Sequence, residues 1–245
     1  VSESISIYNR IKTGNNLIGI LIDPEKFIHQ HAQEDFAKQL NSTVSDFILV
    51  GGSSCTSDEM EFTIGIIKQY CRLPIVLFPG SSTQVSKRAD GILFLSLLSG
   101  RNPDFLIGHH VAASQKLIDS NLEIIPTAYL LLDGGRLSSV QKYSGTFPLS
   151  QSNPEIIYNT ALAGKLLGLQ LTYLDAGSGA IKRISSKVIE HVKATGIPLI
   201  VGGGIRTVNA IKEAHAAGAN MVVIGSKLEE NPSFLEELKN YRQIL

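Results

Sequence analysis

The sequence predicts a single α/β domain, a (β/α)8 barrel of the TIM type covering residues 1–245. Three observations lead there. The chain is 245 residues long and 43% hydrophobic, which suits one closed α/β barrel better than two ordinary domains. Eight short apolar runs rich in β-branched residues recur along it, continuous rather than alternating, as in parallel strands buried on both faces. Segments of helical period separate these runs, and their even alternation favours a closed barrel over an open doubly wound sheet.

The strands are expected at 17–23, 46–53, 75–80, 91–98, 124–133, 171–177, 198–204 and 221–226. Asn41-Ser42-Thr43, although it has the form of a glycosylation acceptor, is expected to be a helix-ending turn. After the second strand, Met60, Ile64, Ile67 and Cys71 line one helix face behind a Thr56/Glu59 capping box. Only residues 81–89 separate the third strand from the fourth, too few for a helix and two turns, so the third helix is expected to be missing or vestigial. A helix over 104–119 carries His109-His110, adjacent positions that cannot face one metal ion together. Residues 133–153 are long, polar and rich in glycine and serine, a candidate lid or binding loop. Asn153-Pro154 supplies an N-cap and a first-turn proline before Ile157, Thr160, Gly164 and Leu167. Three further stripes, Ile181/Ile184/Val188/Val192, Val208/Ile211/His215/Gly218 and Phe234/Leu238/Tyr241/Leu245, should face the barrel.

Composition removes several function classes. Lys+Arg and Asp+Glu both number 22, so no global field draws the chain to nucleic acid or an anionic membrane. The apolar runs are strand length, well short of the roughly 20 residues of a membrane helix. Cys55 and Cys71 fit neither a disulfide framework nor a zinc spacing and read as small core or helix-end residues, and with no basic, apolar leader the expected compartment is the cytoplasm.

In such a barrel the chemistry sits at the C-terminal ends of the strands, and phosphate is commonly held by the last loops. Here the sixth strand ends Asp175-Ala176-Gly177-Ser178-Gly179, the seventh Gly202-Gly203-Gly204 and the eighth Gly225-Ser226. Glycines let backbone N–H groups approach an anion and reach the positive φ values that turn successive N–H groups toward it. One such loop would be an ordinary tight turn; three in adjacent loops favour a phosphate site. Across the mouth, Asp23 closes the first strand and the second ends Val50-Gly51-Gly52-Ser53-Ser54; a carboxylate beside a small hydroxyl can hold Mg²⁺ with water and phosphate oxygens completing its shell. Asp23-Pro24 taken alone is more often a turn initiator. Arg206 and Lys26 are within reach of such anions but are as readily surface residues.

Taken together, LIDPEKF, LVGGSS, LFPGSSTQVS, ILFLSLLSGRNPDFLIG, YLDAGSGA, VGGGIRT and the last IGS resemble the geranylgeranylglyceryl phosphate synthase family and the related heptaprenylglyceryl phosphate synthases, from about Ile18 to Asn231. The resemblance implies transfer of a geranylgeranyl group from geranylgeranyl diphosphate to the 3-hydroxyl of sn-glycerol 1-phosphate, a step of ether-lipid biosynthesis. It implies Mg²⁺ on Asp23 and Ser53. Glycerol phosphate would lie on Tyr173, Leu174, Asp175, Ala176, Gly177, Ser178, Gly179, Gly203, Gly204, Gly225 and Ser226. Asp175 would be the base with Tyr173 orienting it, and the prenyl tail would lie in an apolar groove walled by the fourth and fifth strands. Many relatives carry Glu for Asp175 and Asn for Ser226; the carboxylate is kept but shortened, and the serine still offers an N–H and a hydroxyl. Relatives are dimers or larger rings, so a homo-oligomer is expected. Two other readings share the glycine turns: an isomerase or epimerase acting on a phosphorylated metabolite, and a noncatalytic barrel that binds one.

Overall fold

The computed structural model of the protein describes residues 6–29, 33–41 and 43–243. All eight expected strands form. They are β1 (Leu17–Ile22), β2 (Phe47–Val50), β3 (Ile75–Leu77), β4 (Gly91–Leu97), β5 (Glu123–Leu131), β6 (Leu171–Asp175), β7 (Leu199–Gly202) and β8 (Met221–Ile224). Neighbours pair in parallel in sequence order, and β8 closes on β1 with Leu17 opposite Met221. Each is shorter than its apolar run, because the last residues of the run leave the ladder to build the mouth.

Side chains alternate between two layers, as the period-2 geometry of a strand requires. Phe47, Leu49, Leu93, Tyr129, Tyr173, Ile200 and Val223 fill the barrel interior. Ile48, Val50, Ile92, Leu130, Leu174, Val201 and Ile224 point outward into the layer beneath the helices.

The helices are α1 (Ile7–Thr13), α2 (Pro24–Phe27), α3 (Gln33–Gln39), α4 (Ser57–Tyr70), α5 (His109–Ile118), α6 (Ser139–Ser144), α7 (Pro154–Leu166), α8 (Ser186–Lys193), α9 (Val208–Ala216), α10 (Ser226–Glu230) and α11 (Phe234–Arg242). Ile7 and Ile11 of α1 belong to the interior layer, and the Glu123 carboxylate accepts from the Ile7 and Tyr8 N–H groups at 2.6 and 2.8 Å; α1 thus closes the end of the barrel remote from the mouth. The α4 capping box forms as expected, as does the Asn153 cap of α7. Asn41 accepts from the Thr43 N–H at 3.0 Å just beyond α3, a helix-ending turn.

Ile181 is 75% exposed and lies before α8, which starts only where Ser185 caps the Val188 N–H; Ile184, Val188 and Val192 carry the buried stripe. Gly218 lies past the end of α9, in the turn where its φ is 110°. Phe234, Leu238 and Tyr241 are buried, whereas Leu245 lies outside the described residues. The 104–119 helix begins as a π-helical turn at Asp104–Gly108, and the 133–153 loop folds partly into α6, capped by Ser138 and stopped by Gly145 at φ 64°. Between β3 and β4 there is no helix. Among the described residues no helix is long and apolar enough to cross a membrane.

Candidate active site at the barrel mouth

One cavity of about 260 Å³ runs across the C-terminal ends of the strands, and three chemically distinct regions line it. The first is an anion cradle. Gly177, Gly179, Gly203 and Gly204 have φ of 88°, 68°, 80° and 70°, the left-handed region that suits glycine. Ser226 joins two of the loops: its Oγ accepts from the Gly179 N–H at 3.1 Å and lies 3.1 Å from Ser178 Oγ. Gly203, Gly204, Gly225 and Ser226 all line the cavity, and their N–H groups donate to no protein acceptor among the described residues. Those at 225 and 226 begin α10, so an anion there faces unpaired helix-end donors.

The second region is a buried carboxylate. Asp175 ends β6 at 8% exposure; its Oδ1 accepts from the Gly177 N–H at 2.8 Å and its Oδ2 from the Tyr129 hydroxyl at 2.5 Å. Burial pushes the Asp175 carboxyl above the ordinary carboxylate range, and these two donors pull it back. Tyr173, expected to orient the base, instead stacks on Phe78 at 5.1 Å, edge-on to Tyr129 at 5.7 Å, with its hydroxyl beside Gly202. It lines the cavity, but the hydrogen bond to Asp175 comes from Tyr129. Tyr129 had no signal of its own in a continuous apolar run. The side chains of Leu174 and Ala176 point away into the helix-facing layer, and the Ala176 N–H is spent on the Gly202 carbonyl at 3.1 Å, so neither residue borders the cavity.

Opposite the cradle, Asp23 and Ser53 both reach the cavity wall. Asp23 Oδ1 is buried with no hydrogen-bond partner among the described residues, and Lys26 Nζ sits 3.7 Å from Oδ2 while bonding Glu229 at 2.7 Å. Burial pushes the Asp23 carboxyl up, Lys26 opposes this, and Glu229 and Glu25 add to the rise. An unpartnered buried carboxylate oxygen among hydroxyls and further carboxylates suits a hard cation. Arg206 forks onto Glu230, with its shortest contact at 2.5 Å, and also borders the cavity.

The third region is apolar. From Phe78, Leu95 and Leu97 the cavity passes to Ile92 and Phe94, on the outer face of β4, and beneath His110, Ala113 and Leu117 of α5. An ordinary barrel would cover that outer face with its third helix; here Val85 of the β3–β4 connection is the neighbour instead, and the vacancy becomes the groove. The fourth strand is thus a wall as expected, Tyr129 is the contribution of the fifth, and α6 adds Ser139, Val140 and Tyr143 from the expected binding loop. His109 and His110, which looked incidental in sequence, both line the groove. His110 packs edge-on to Phe94 at 4.4 Å with Nε2 3.1 Å from Ser96 Oγ, and burial lowers its pKa and favours the neutral ring. Cys55 and Cys71 are free and buried, and burial pushes the Cys55 thiol up to about 12.

Known proteins share this architecture and sequence. A protein of Zunongwangia profunda named geranylgeranylglyceryl phosphate synthase is 50% identical over 225 residues, 91% of this chain and 95% of the relative. One of the same name from Pyrococcus abyssi is 35% identical, covering 97% of this chain and 94% of the relative. The crystal structure of (S)-3-O-geranylgeranylglyceryl phosphate synthase from Thermoplasma acidophilum in complex with its substrate sn-glycerol-1-phosphate superposes with a TM-score of 0.87 at 32% identity, covering 98% of both chains. The sequence also matches the PcrB family over residues 13–244, and the chain belongs to that family.

Proposed function

We infer that the protein is a prenyltransferase that joins the geranylgeranyl group of geranylgeranyl diphosphate to the 3-hydroxyl of sn-glycerol 1-phosphate through an ether bond. The observation that carries this reading is the meeting of an anion cradle, a buried carboxylate and an apolar groove in one cavity. The relatives' names and the substrate of the Thermoplasma structure point the same way. An isomerase of a small phosphorylated metabolite would use the cradle but not a groove walled by Phe94, Ala113 and Leu117.

In this reading the phosphate of sn-glycerol 1-phosphate lies on the N–H groups of Gly203, Gly204, Gly225 and Ser226. Its 3-hydroxyl then meets Asp175, which accepts the proton as the oxygen attacks the allylic carbon. The prenyl chain lies past Phe78 and Leu95 toward Leu117, and the diphosphate falls near Asp23, Ser53 and Lys26. Mg²⁺ would be held by Asp23 and Ser53, where, when bound, it supplies Lewis-acid stabilisation of the departing diphosphate. The Asp23 oxygen left without a partner among the described residues supports this, and Mg²⁺ usually keeps several waters, so that two protein oxygens and the diphosphate can complete its shell. Self-association belongs to the same proposal, since Val111 and Ile118 on the outer side of α5 are 68% and 75% exposed; sedimentation velocity tests it. So does a cytoplasmic location, checked by cell fractionation.

Incubation with labelled geranylgeranyl diphosphate, Mg²⁺ and glycerol phosphate decides among the readings. Labelled prenylglyceryl phosphate supports transfer. Isotope exchange in a phosphorylated metabolite without any prenyl donor would point to an isomerase, and binding without turnover to a noncatalytic barrel.

A further inference from the structure

We propose that Tyr129 is a positioning residue for the reaction: by donating to Oδ2 of Asp175 it fixes the carboxylate so that Oδ1, beside Gly203, is the oxygen that takes the acceptor's proton. The inference rests on the prenyl-transfer reading and specifies which atom of the base acts and what holds it.

The two oxygens of Asp175 differ in their surroundings. Oδ2 accepts from the Tyr129 hydroxyl at 2.5 Å, and both residues are buried at that contact. That hydroxyl makes no other hydrogen bond among the described residues, so its single proton is committed to Asp175. The Tyr129 ring is held by edge contacts to Phe78 at 5.8 Å and Tyr173 at 5.7 Å. Strand register fixes the rest, since Tyr129 lies opposite Tyr173 and Leu131 opposite Asp175.

Among the described residues Oδ1 accepts only the Gly177 N–H, which leaves it a lone pair. Beside it is the space left by the missing side chain of Gly203: a Cβ there would sit 2.7 Å from Oδ1. Asp175 and Gly203 both border the cavity, so a hydroxyl of a substrate seated on the cradle can approach Oδ1 past Gly203. The titratable groups facing Asp175 are Tyr129 from β5 and Tyr173 from β6. The ends of β7 and β8 bring Gly202, Gly203, Val223 and Gly225, none of which titrates.

The step balances. The 3-hydroxyl proton moves to Asp175 Oδ1 as the oxygen forms its bond to the allylic carbon; the bond from that carbon to the diphosphate oxygen breaks, and its electron pair leaves with the diphosphate. The proton on Asp175 then passes to solvent. A donor on Oδ2 stabilises the charged carboxylate, so its removal makes Asp175 a base only at higher pH and lets the carboxylate turn.

The test is the pH dependence of kcat/KM for sn-glycerol 1-phosphate in two variants. Tyr129→Phe removes one oxygen and should shift the acidic limb upward by about one pH unit, because one hydrogen bond to a charged group is at stake. Its kcat should fall by about 10- to 100-fold, within the cost of a roughly 1 Å misplacement, while KM for glycerol phosphate changes little. Tyr129→3-fluorotyrosine keeps the packing and strengthens the donor, so its limb should move downward. Opposite shifts in the two variants support the assignment. An unshifted limb in both, with any loss confined to KM, overturns it. If Tyr129→Phe fails to fold in a thermal melt, an unshifted limb in the fluorotyrosine enzyme alone overturns it. A wild-type enzyme that makes no labelled product at any pH overturns the prenyl-transfer reading itself, an outcome distinct from an active enzyme with an unshifted limb.

Discussion

A methyl group at position 203 should cost both stability and turnover, whereas one at position 225 should cost substrate affinity. A Cβ at position 203 would lie 2.6 Å from Ala176 N, 2.7 Å from Asp175 Oδ1 and 2.8 Å from Gly177 N. Two of these neighbours are backbone and the third is a carboxylate bonded at both oxygens, so none can swing aside cheaply. The backbone there has φ of 80°, a left-handed conformation that costs an L residue about 1–2 kcal/mol. With overpacking at about 1–3 kcal/mol, Gly203→Ala should lose about 2–5 kcal/mol of stability, or about 5–15 °C in Tm for a domain of this size. Pushing Asp175 by about 1 Å should lower kcat by roughly 100-fold. A Cβ at position 225 would meet nothing among the described residues closer than Leu21 Cβ at 3.5 Å, an ordinary contact. Gly225→Ala should therefore melt within a few degrees of wild type but raise KM for glycerol phosphate, and not for the prenyl diphosphate, because its methyl enters the anion's space. Thermal melts and steady-state kinetics on the two variants measure all four quantities. Wild-type Tm and kcat in Gly203→Ala, or equal rises of both KM values in Gly225→Ala, would refute the cradle as drawn.

Asp175→Asn should lower kcat by roughly 10²- to 10⁴-fold, the span for a positioned general base, and sn-glycerol 3-phosphate should inhibit or react slowly because its hydroxyl misses the carboxylate. Its effect on stability runs the other way. A buried carboxyl whose folded pKa is raised loses stability as pH climbs from its unfolded value of 3.8 through the folded one, so at neutral pH the asparagine variant should melt no lower than wild type. An active Asp175→Asn enzyme, or equal rates with the two enantiomers, would remove Asp175 from the chemistry. Asp23→Asn should abolish Mg²⁺-dependent transfer while calorimetry finds glycerol phosphate affinity largely unchanged; full turnover at low Mg²⁺ would exclude Asp23 as the ligand. Ala113→Phe, filling the groove beneath α5, should impair reaction with geranylgeranyl diphosphate far more than with a short prenyl diphosphate, and an equal loss with both would place the tail elsewhere.

The sequence by itself determined the elements and their order. Eight apolar runs became eight parallel strands, the 81–89 gap became a missing helix, and the glycine clusters after β6 and β7 became left-handed turns, because each depends on local periodicity, loop length or backbone sterics within a few residues. Asp175, Asp23 and the three glycine loops were legible for the same reason, each sitting where a strand ends. Tertiary structure alone decided which neighbours they meet. Tyr129 reaches Asp175 across 46 residues, and β6 turns Tyr173 and Asp175 inward but Leu174 outward. In a strand buried on both faces apolar residues occupy both layers, so sequence carries little parity signal to separate the two sides. The groove, too, needed the closed fold: a gap of nine residues says that a helix is absent, but only packing α5 against β4 shows that the vacancy runs past Ile92, Phe94 and Ala113 to join the barrel mouth.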